Sequence, residues 1–143
     1  MNRRSDIPVR VTAGIFQQNG CVMIARRAPG ERHAGQWEFP GGKIEPGETP
    51  EACLSRELRE EFGINVRVGR LLAQNTHDYT HGRIELLAYE VCRLSGVLQP
   101  AVHDRIAHVP TDALLTFDLL PADIPIASAL MTIYAENSCA LRS

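Results

Sequence analysis

Apolar and polar residues interleave through residues 8–16 (Pro-Val-Arg-Val-Thr-Ala-Gly-Ile-Phe), which predicts a half-buried strand. Asn19-Gly20 follows as a tight hairpin signal, and residues 21–26 (Cys-Val-Met-Ile-Ala-Arg) form the return strand. Residues 28–36 are polar with Gly and Pro, hence a loop; Trp37-Glu38-Phe39 is a short extended piece stopped by Pro40-Gly41-Gly42. A helix is predicted over residues 50–62, with Thr49 as N-cap, Pro50 at the first helical position and Gly63 closing it. Residues 66–75 and 84–93 read as strands, residues 96–98 as an extension of the sheet, and residues 101–109 as a loop ending in a short strand at His108-Val109. A second amphipathic helix covers residues 126–137, started near Asp123 and Pro125. Strands dominate, with helices before and after the later ones, so the fold class is α/β: a mixed sheet with helices packed on it.

A chain of 143 residues, 22% charged and 44% hydrophobic, fits a single soluble domain spanning residues 1–143. The net charge of −2 leaves no global basic field, so no nucleic acid polymer and no anionic membrane is expected as partner. A polyanionic substrate would need local cations and metal. No apolar run approaches the length of a membrane span. Arg3 and Arg4 are followed by no apolar stretch, so no secretory signal is expected at residues 1–10. Cys21, Cys53, Cys92 and Cys139 lack metal-ligand spacing and read as free thiols of a cytoplasmic protein. Monomer and homodimer both stay open.

The chemistry is carried by Gly42-Lys43-Ile44-Glu45-Pro46-Gly47-Glu48 and, seven residues later, Arg56-Glu57-Leu58-Arg59-Glu60-Glu61-Phe62-Gly63-Ile64. At 100° per residue, Glu57, Glu60 and Glu61 share an arc of roughly 100° that flanks the apolar stripe of Leu54, Leu58 and Phe62. A solvated acidic face would instead sit where Ser55 and Arg59 sit. Like charges so spaced each cost a helix about 0.2–0.5 kcal/mol, a cost that a shared cation removes. Clustered carboxylates suit a hard ion, Mg²⁺ or Mn²⁺, which completes its shell with water and phosphate oxygens. The pattern therefore predicts phosphate chemistry: charge neutralisation and activation of water. Gly41, Gly42 and Gly47 permit a tight loop and close approach to a ligand, and Arg56 lies beside the acids, where it could fix a carboxylate.

Residues 42–64 match G-x5-E-x7-R-E-U-x-E-E-x-G-U (U aliphatic) at every fixed position, so this segment resembles the Nudix box. Arg26-Arg27-Ala28, Trp37-Glu38-Phe39-Pro40-Gly41-Gly42-Lys43 and Leu120-Pro121-Ala122-Asp123-Ile124-Pro125 look like the MutT-type members. The resemblance implies an α/β/α sandwich. It implies Glu57, Glu60, Glu61 and the Gly41 carbonyl as metal ligands, Arg56 paired with Glu48 to orient them, and Arg27 on substrate phosphates; Lys43 could assist but is expected to be exposed. The implied reaction is attack of water on the β-phosphorus of a nucleoside triphosphate, giving a monophosphate and pyrophosphate. Many relatives carry a Glu-His pair, whose Glu can act as base, before a late Trp-containing strand. Here Val102 stands for the Glu and His108 for the Trp, so Glu60 is expected to be the base, with Asp104 and His103 as alternatives.

Asp123 aligns with the residue that reads the base edge in MutT-like enzymes, or it caps the last helix. An ionised Asp only accepts hydrogen bonds, which suits the N4 amino group of cytosine, and Gly82-Arg83-Ile84 and the Pro-Ala-Asp-Ile-Pro tail look closest to the CTP and 5-methyl-dCTP branch. A protonated Asp would also serve 8-oxo-dGTP. Phe39 or Trp37 could stack on the base or sit in the core. Two other readings are a Nudix hydrolase of ADP-ribose or dinucleoside polyphosphates, for which Tyr79 is a weak sign, and a non-catalytic nucleotide-binding module.

Overall fold

A computed structural model describes residues 7–80 and 82–142, with side chains to residue 135. Cys139 and most of the residue 1–10 stretch discussed above lie outside the described residues or side chains.

The first predicted strand is β1 (Val9–Ile15), and a short β2 (Gln17–Gln18) that the sequence did not predict follows it, with only Phe16 between them. Strand β3 (Cys21–Arg27) returns through Asn19 and Gly20, both left-handed at φ 55° and 79°, the backbone that a two-residue hairpin requires. Short β4 (Trp37–Glu38) precedes helix α1 (Pro50–Phe62), then come β5 (Asn65–Tyr79), β6 (Gly82–Ser95), β7 (His103–Pro110) and helix α2 (Ile124–Arg142).

These strands form two sheets, where the sequence suggested one. In the first the order is β1-β6-β5, with β1 parallel to β6 and β5 antiparallel to it. In the second, β3 is central and antiparallel to β2, β4 and β7. Two short 3-10 turns, Thr111–Thr116 and Pro121–Asp123, lead from β7 into α2.

Alternation along β6 accounts for the layers. Leu86 and Ala88 join a cluster with Ile126, Ala127 and Leu130 of α2; Leu87, Tyr89 and Val91 join another with Leu54, Leu58 and Phe62 of α1. Helices thus cover opposite faces, as expected for the sandwich. Full burial of side chains such as Leu54, Leu58, Phe62 and Leu130 contributes about 1.5–3 kcal/mol each.

Two predicted boundaries move. Residues 96–98 are not strand: Gly96 is left-handed (φ 96°) and Val97 is 73% exposed. The predicted loop at 101–109 is mostly β7, because β3 supplies a pairing partner from Pro110 back to His103. No helix among the described residues is long and apolar enough to cross a membrane.

Candidate active site

Helix α1 begins as the sequence predicts, with the Thr49 hydroxyl accepting from Ala52 N at 3.1 Å. It ends at left-handed Gly63, whose N–H donates to Arg59 O. Its apolar side is Cys53, Leu54, Leu58 and Phe62, while Arg59 is exposed. Arg56 is the hub of the acidic flank. Its Nε and Nη2 hold both oxygens of Glu48 at 2.6 and 2.9 Å, and its Nη1 donates to Glu57 Oε1 and Glu60 Oε1, each at 3.0 Å. Hydrogen bonding from Arg56, then from the Glu45 N–H, holds the Glu48 carboxyl down at about 2. Burial pushes Glu57 above the usual carboxylate range, and Arg56 pulls against it.

The loop before α1 is sewn to β1. Thr12 N donates to Gly42 O at 2.8 Å, Gly42 N to Thr12 O at 3.1 Å, and Gly14 N to Pro40 O at 2.6 Å. The intervening Gly41 carbonyl stands outside this ladder. A Cβ at Gly41 would lie 2.0 Å from Thr12 O; one at Gly42 would lie 2.2 Å from Glu57 Cδ. Cys53, buried beneath, directs Sγ to Gly42 O and Lys43 O at 3.5 and 3.4 Å. Burial raises that thiol.

A cleft of about 690 Å³ opens between this loop, the outer ends of β1 and β6, and the Pro121–Asp123 turn. Glu61 lines it, and no hydrogen bond is made by its carboxylate among the described residues. Burial first, then the charge of Glu57, pushes Glu61 up to about 7. Glu60 is 59% exposed on the solvent side and is not part of the lining. Arg27 is only 21% exposed and so is no solvated strand end: Nη1 donates to Glu38 Oε2 at 2.7 Å. The same Oε2 meets His103 Nε2 at 2.8 Å, and the His103 ring stacks on Phe62 with centroids 5.2 Å apart. Asp123 is 5% exposed, and its Oδ2 accepts from Phe39 N at 2.9 Å.

The NUDIX domain matches residues 7–130. This chain belongs to the Nudix family. It is a MutT-like hydrolase of that family, and it is 37% identical over 129 residues to the CTP pyrophosphohydrolase of Escherichia coli K12, covering 90% of this chain and 96% of that protein. Identity to a putative 8-oxo-dGTP diphosphatase 2 of Mycobacterium tuberculosis is 38% over 120 residues, 79% of this chain and 81% of the relative. The solution structure of the E. coli ORF135 protein superposes with a TM-score of 0.81 at 37% identity, covering 90% of this chain and 91% of that one.

Members of the family generally use a divalent metal. The Nudix box here fits one in donor type: hard carboxylate oxygens, one of which, Glu61, is partly buried without a hydrogen-bond donor. The acids do not close round one point as they stand. No three acidic, His or Cys side chains among the described residues are grouped to hold an ion, because Glu57 and Glu60 are turned to Arg56.

Several sequence-predicted positions resolve differently. Trp37 is core, packed edge-on to Phe117 at 5.3 Å, and does not line the cleft. Phe39 is 3% exposed; it lines the cleft and contributes its backbone N–H to Asp123. Lys43 lines the cleft and is exposed. Asp104 is exposed and held by Arg26 through two bonds of 2.9 and 2.8 Å, away from the cleft, because β7 alternates and turns His103 inward. Val102 directs its carbonyl to Ala28 N at 3.2 Å. Asp123 does not serve as a helix cap; its carboxyl reaches across to Phe39. Burial, then the Glu38 charge, push its carboxyl up to about 8.

Glu38 had not been assigned to the site, and His103 only as an alternative base, not as a partner of Glu38. A charged residue between the core aromatics Trp37 and Phe39 was the available signal for Glu38. Nothing local marks His103, whose partner lies 65 residues away.

Proposed function

We propose that this protein hydrolyses a nucleoside triphosphate to the monophosphate and pyrophosphate in the cytoplasm, with cytosine nucleotides preferred over 8-oxo-dGTP. The observation that carries the reading is the cleft itself. Box acid Glu61 stands in one lining with Arg27 and Lys43, which suit phosphates, and with Asp123, which suits a base. Its volume is that of a small-molecule site.

Glu57, Glu60 and the Gly41 carbonyl would hold Mg²⁺ once Arg56 releases the two acids, with Glu61 moved from the ligand set expected from sequence to the role of proton acceptor; the ion would neutralise phosphate charge and acidify water. Arg27, fixed by Glu38, binds phosphate oxygens. Water adds to the β-phosphorus, the bond from that phosphorus to the α–β bridging oxygen breaks, and nucleoside monophosphate departs with that oxygen. The proton from water goes to Glu61. This replaces Glu60, the acceptor expected from sequence, because Glu61 faces the cleft and its titration near 7 suits proton transfer at neutral pH.

A protonated Asp123 donates through O–H and still accepts at its other oxygen. That pair suits N3 and the N4 amino group of cytosine, and it also suits oxidised guanine. The preference for cytosine therefore leans on the likeness to the CTP pyrophosphohydrolase. Pyrophosphate release from CTP, 5-methyl-dCTP and 8-oxo-dGTP, with and without Mg²⁺, tests the proposal. Cleavage of ADP-ribose or dinucleoside polyphosphates alone would refute it. More than tenfold preference for 8-oxo-dGTP would refute the cytosine assignment.

A further inference from the structure

We infer that Asn75 and Tyr79 of β5 are positioning residues that set base discrimination by gripping the backbone of Ala122, the residue before Asp123. This deepens the base-reading role of Asp123 and rests on it. The two residues are four apart on one strand and so lie on the same face. Both reach Ala122, from opposite ends of its backbone: Asn75 Nδ2 donates to Ala122 O at 3.2 Å, and Ala122 N donates to the Tyr79 hydroxyl at 3.1 Å. Ala122 is 5% exposed, so neither group has ready recourse to water.

The rest of the turn is held from the other side. Trp37 N donates to Asp118 O, Leu120 N to Trp37 O, and Phe39 N to the Asp123 carboxyl. Residues 118–123 are thus suspended between the Trp37–Phe39 segment and β5, and among the described residues the hydrogen bonds from β5 side chains reach Ala122 rather than Asp123 itself. Tyr79 is itself braced, with His77 edge-on at 4.5 Å and His33 tilted at 6.3 Å. Tyr79 lines the cleft with its ring, whereas Asn75 does not reach it. Asn75 therefore acts through Ala122 alone.

Loss of either bond lets the Pro121–Asp123 turn shift. Displacement of about 1 Å in a positioning element can cost on the order of 100-fold. The loss falls on whichever nucleotide Asp123 reads best, since phosphate contacts come from elsewhere.

The test compares kcat/KM for CTP and 8-oxo-dGTP in wild type, Asn75→Ala, Tyr79→Phe, Asp123→Ala, and each of the first two combined with Asp123→Ala. Tyr79→Phe keeps the ring and its packing, and thermal melting checks that the variants fold. Asn75→Ala and Tyr79→Phe should each move the ratio about tenfold towards that of Asp123→Ala, mainly through KM, and should add nothing in the Asp123→Ala background. Equal loss on both nucleotides, or a ratio change that persists without Asp123, overturns the inference. An Asp123→Ala ratio equal to wild type overturns it too, and that result alone also removes Asp123 as base reader.

Discussion

His103 Nε2 and Glu38 Oε2 meet at 2.8 Å beneath the cleft, although 65 residues separate them in sequence. His103 Nδ1 is buried without a hydrogen-bond partner among the described residues. The hydrogen-bond network therefore assigns the ring proton to Nε2, where it is donated to Glu38. Glu38 Oε2 thus takes donors from both His103 and Arg27, which fixes the Arg27 guanidinium in the cleft wall. Replacing His103 by Leu should cost about 1–3 kcal/mol by chemical denaturation, since a part-buried carboxylate loses one of its two donors. It should also raise KM for the triphosphate. An unchanged KM would show that Arg27 holds its pose without the histidine.

Gly41 and Gly42 should fail in different ways when changed to Ala. The new methyl at Gly41 meets the backbone of Thr12, which cannot step aside, so Gly41→Ala should destabilise the fold by about 1–3 kcal/mol. At Gly42 it meets the Glu57 side chain, which can swing away. Gly42→Ala should therefore keep most of the melting temperature and lose on the order of 100-fold in kcat. Melting curves and kinetics on the two variants check the contrast; equal loss of stability would contradict it.

Glu61 must be ionised to accept a proton, and burial with Glu57 nearby holds it near 7. Activity should climb as pH rises and level off above about 7, with a tenfold change per unit on the acidic limb. Glu61→Gln should lower kcat by about 10²–10⁴-fold and flatten that limb. A pH–rate profile from about 5.5 to about 9 reads this directly. If the limb survives in Glu61→Gln and vanishes in Glu60→Gln, the acceptor is Glu60.

Asp123 makes a stability prediction of definite sign. Its carboxyl titrates near about 3.9 in an unfolded chain and is pushed up to about 8 in the fold. The folded state then binds the proton more tightly. Its contribution is greatest below pH about 4 and is lost as pH rises through about 8. Asp123→Asn does not titrate, so its melting temperature relative to wild type should improve steadily over that window and stop improving above it. A difference that is flat with pH would mean the carboxyl is not buried in this way.

Helix α1 was legible because its signals are local: a Thr-Pro start, a Gly stop, and a wheel that puts the acids beside the apolar stripe. The Asn19-Gly20 hairpin was legible for the same reason. Strand β7 was not, because Val-His-Asp-Arg-Ile-Ala-His-Val has no clear period and becomes a strand only by pairing with β3. Strand β2 escaped too, since Gln17-Gln18 carries no apolar alternation and is a strand only by pairing with β3. In the site, the acids, Arg56 and Arg27 could be named from the motif. Which acid faces the cleft could not, as that depends on Arg56 drawing Glu57 and Glu60 to itself. The burial of Asp123 was equally hidden, because the group its carboxyl meets, Phe39 N, lies 84 residues away.

The passage of the chain through Phe16, out of one sheet and straight into the other, has a mechanical result. Val11 and Thr12 on one wall of the cleft and Arg27 and Glu38 on the other belong to different sheets, yet they are riveted by a link one residue long. The same walls are cross-tied by the hydrogen bonds of Thr12 with Gly42 and of Gly14 with Pro40, which resist their swinging apart. Selection among nucleotides then falls to groups inside a slot of nearly fixed width, the buried Asp123 foremost, rather than to domain closure.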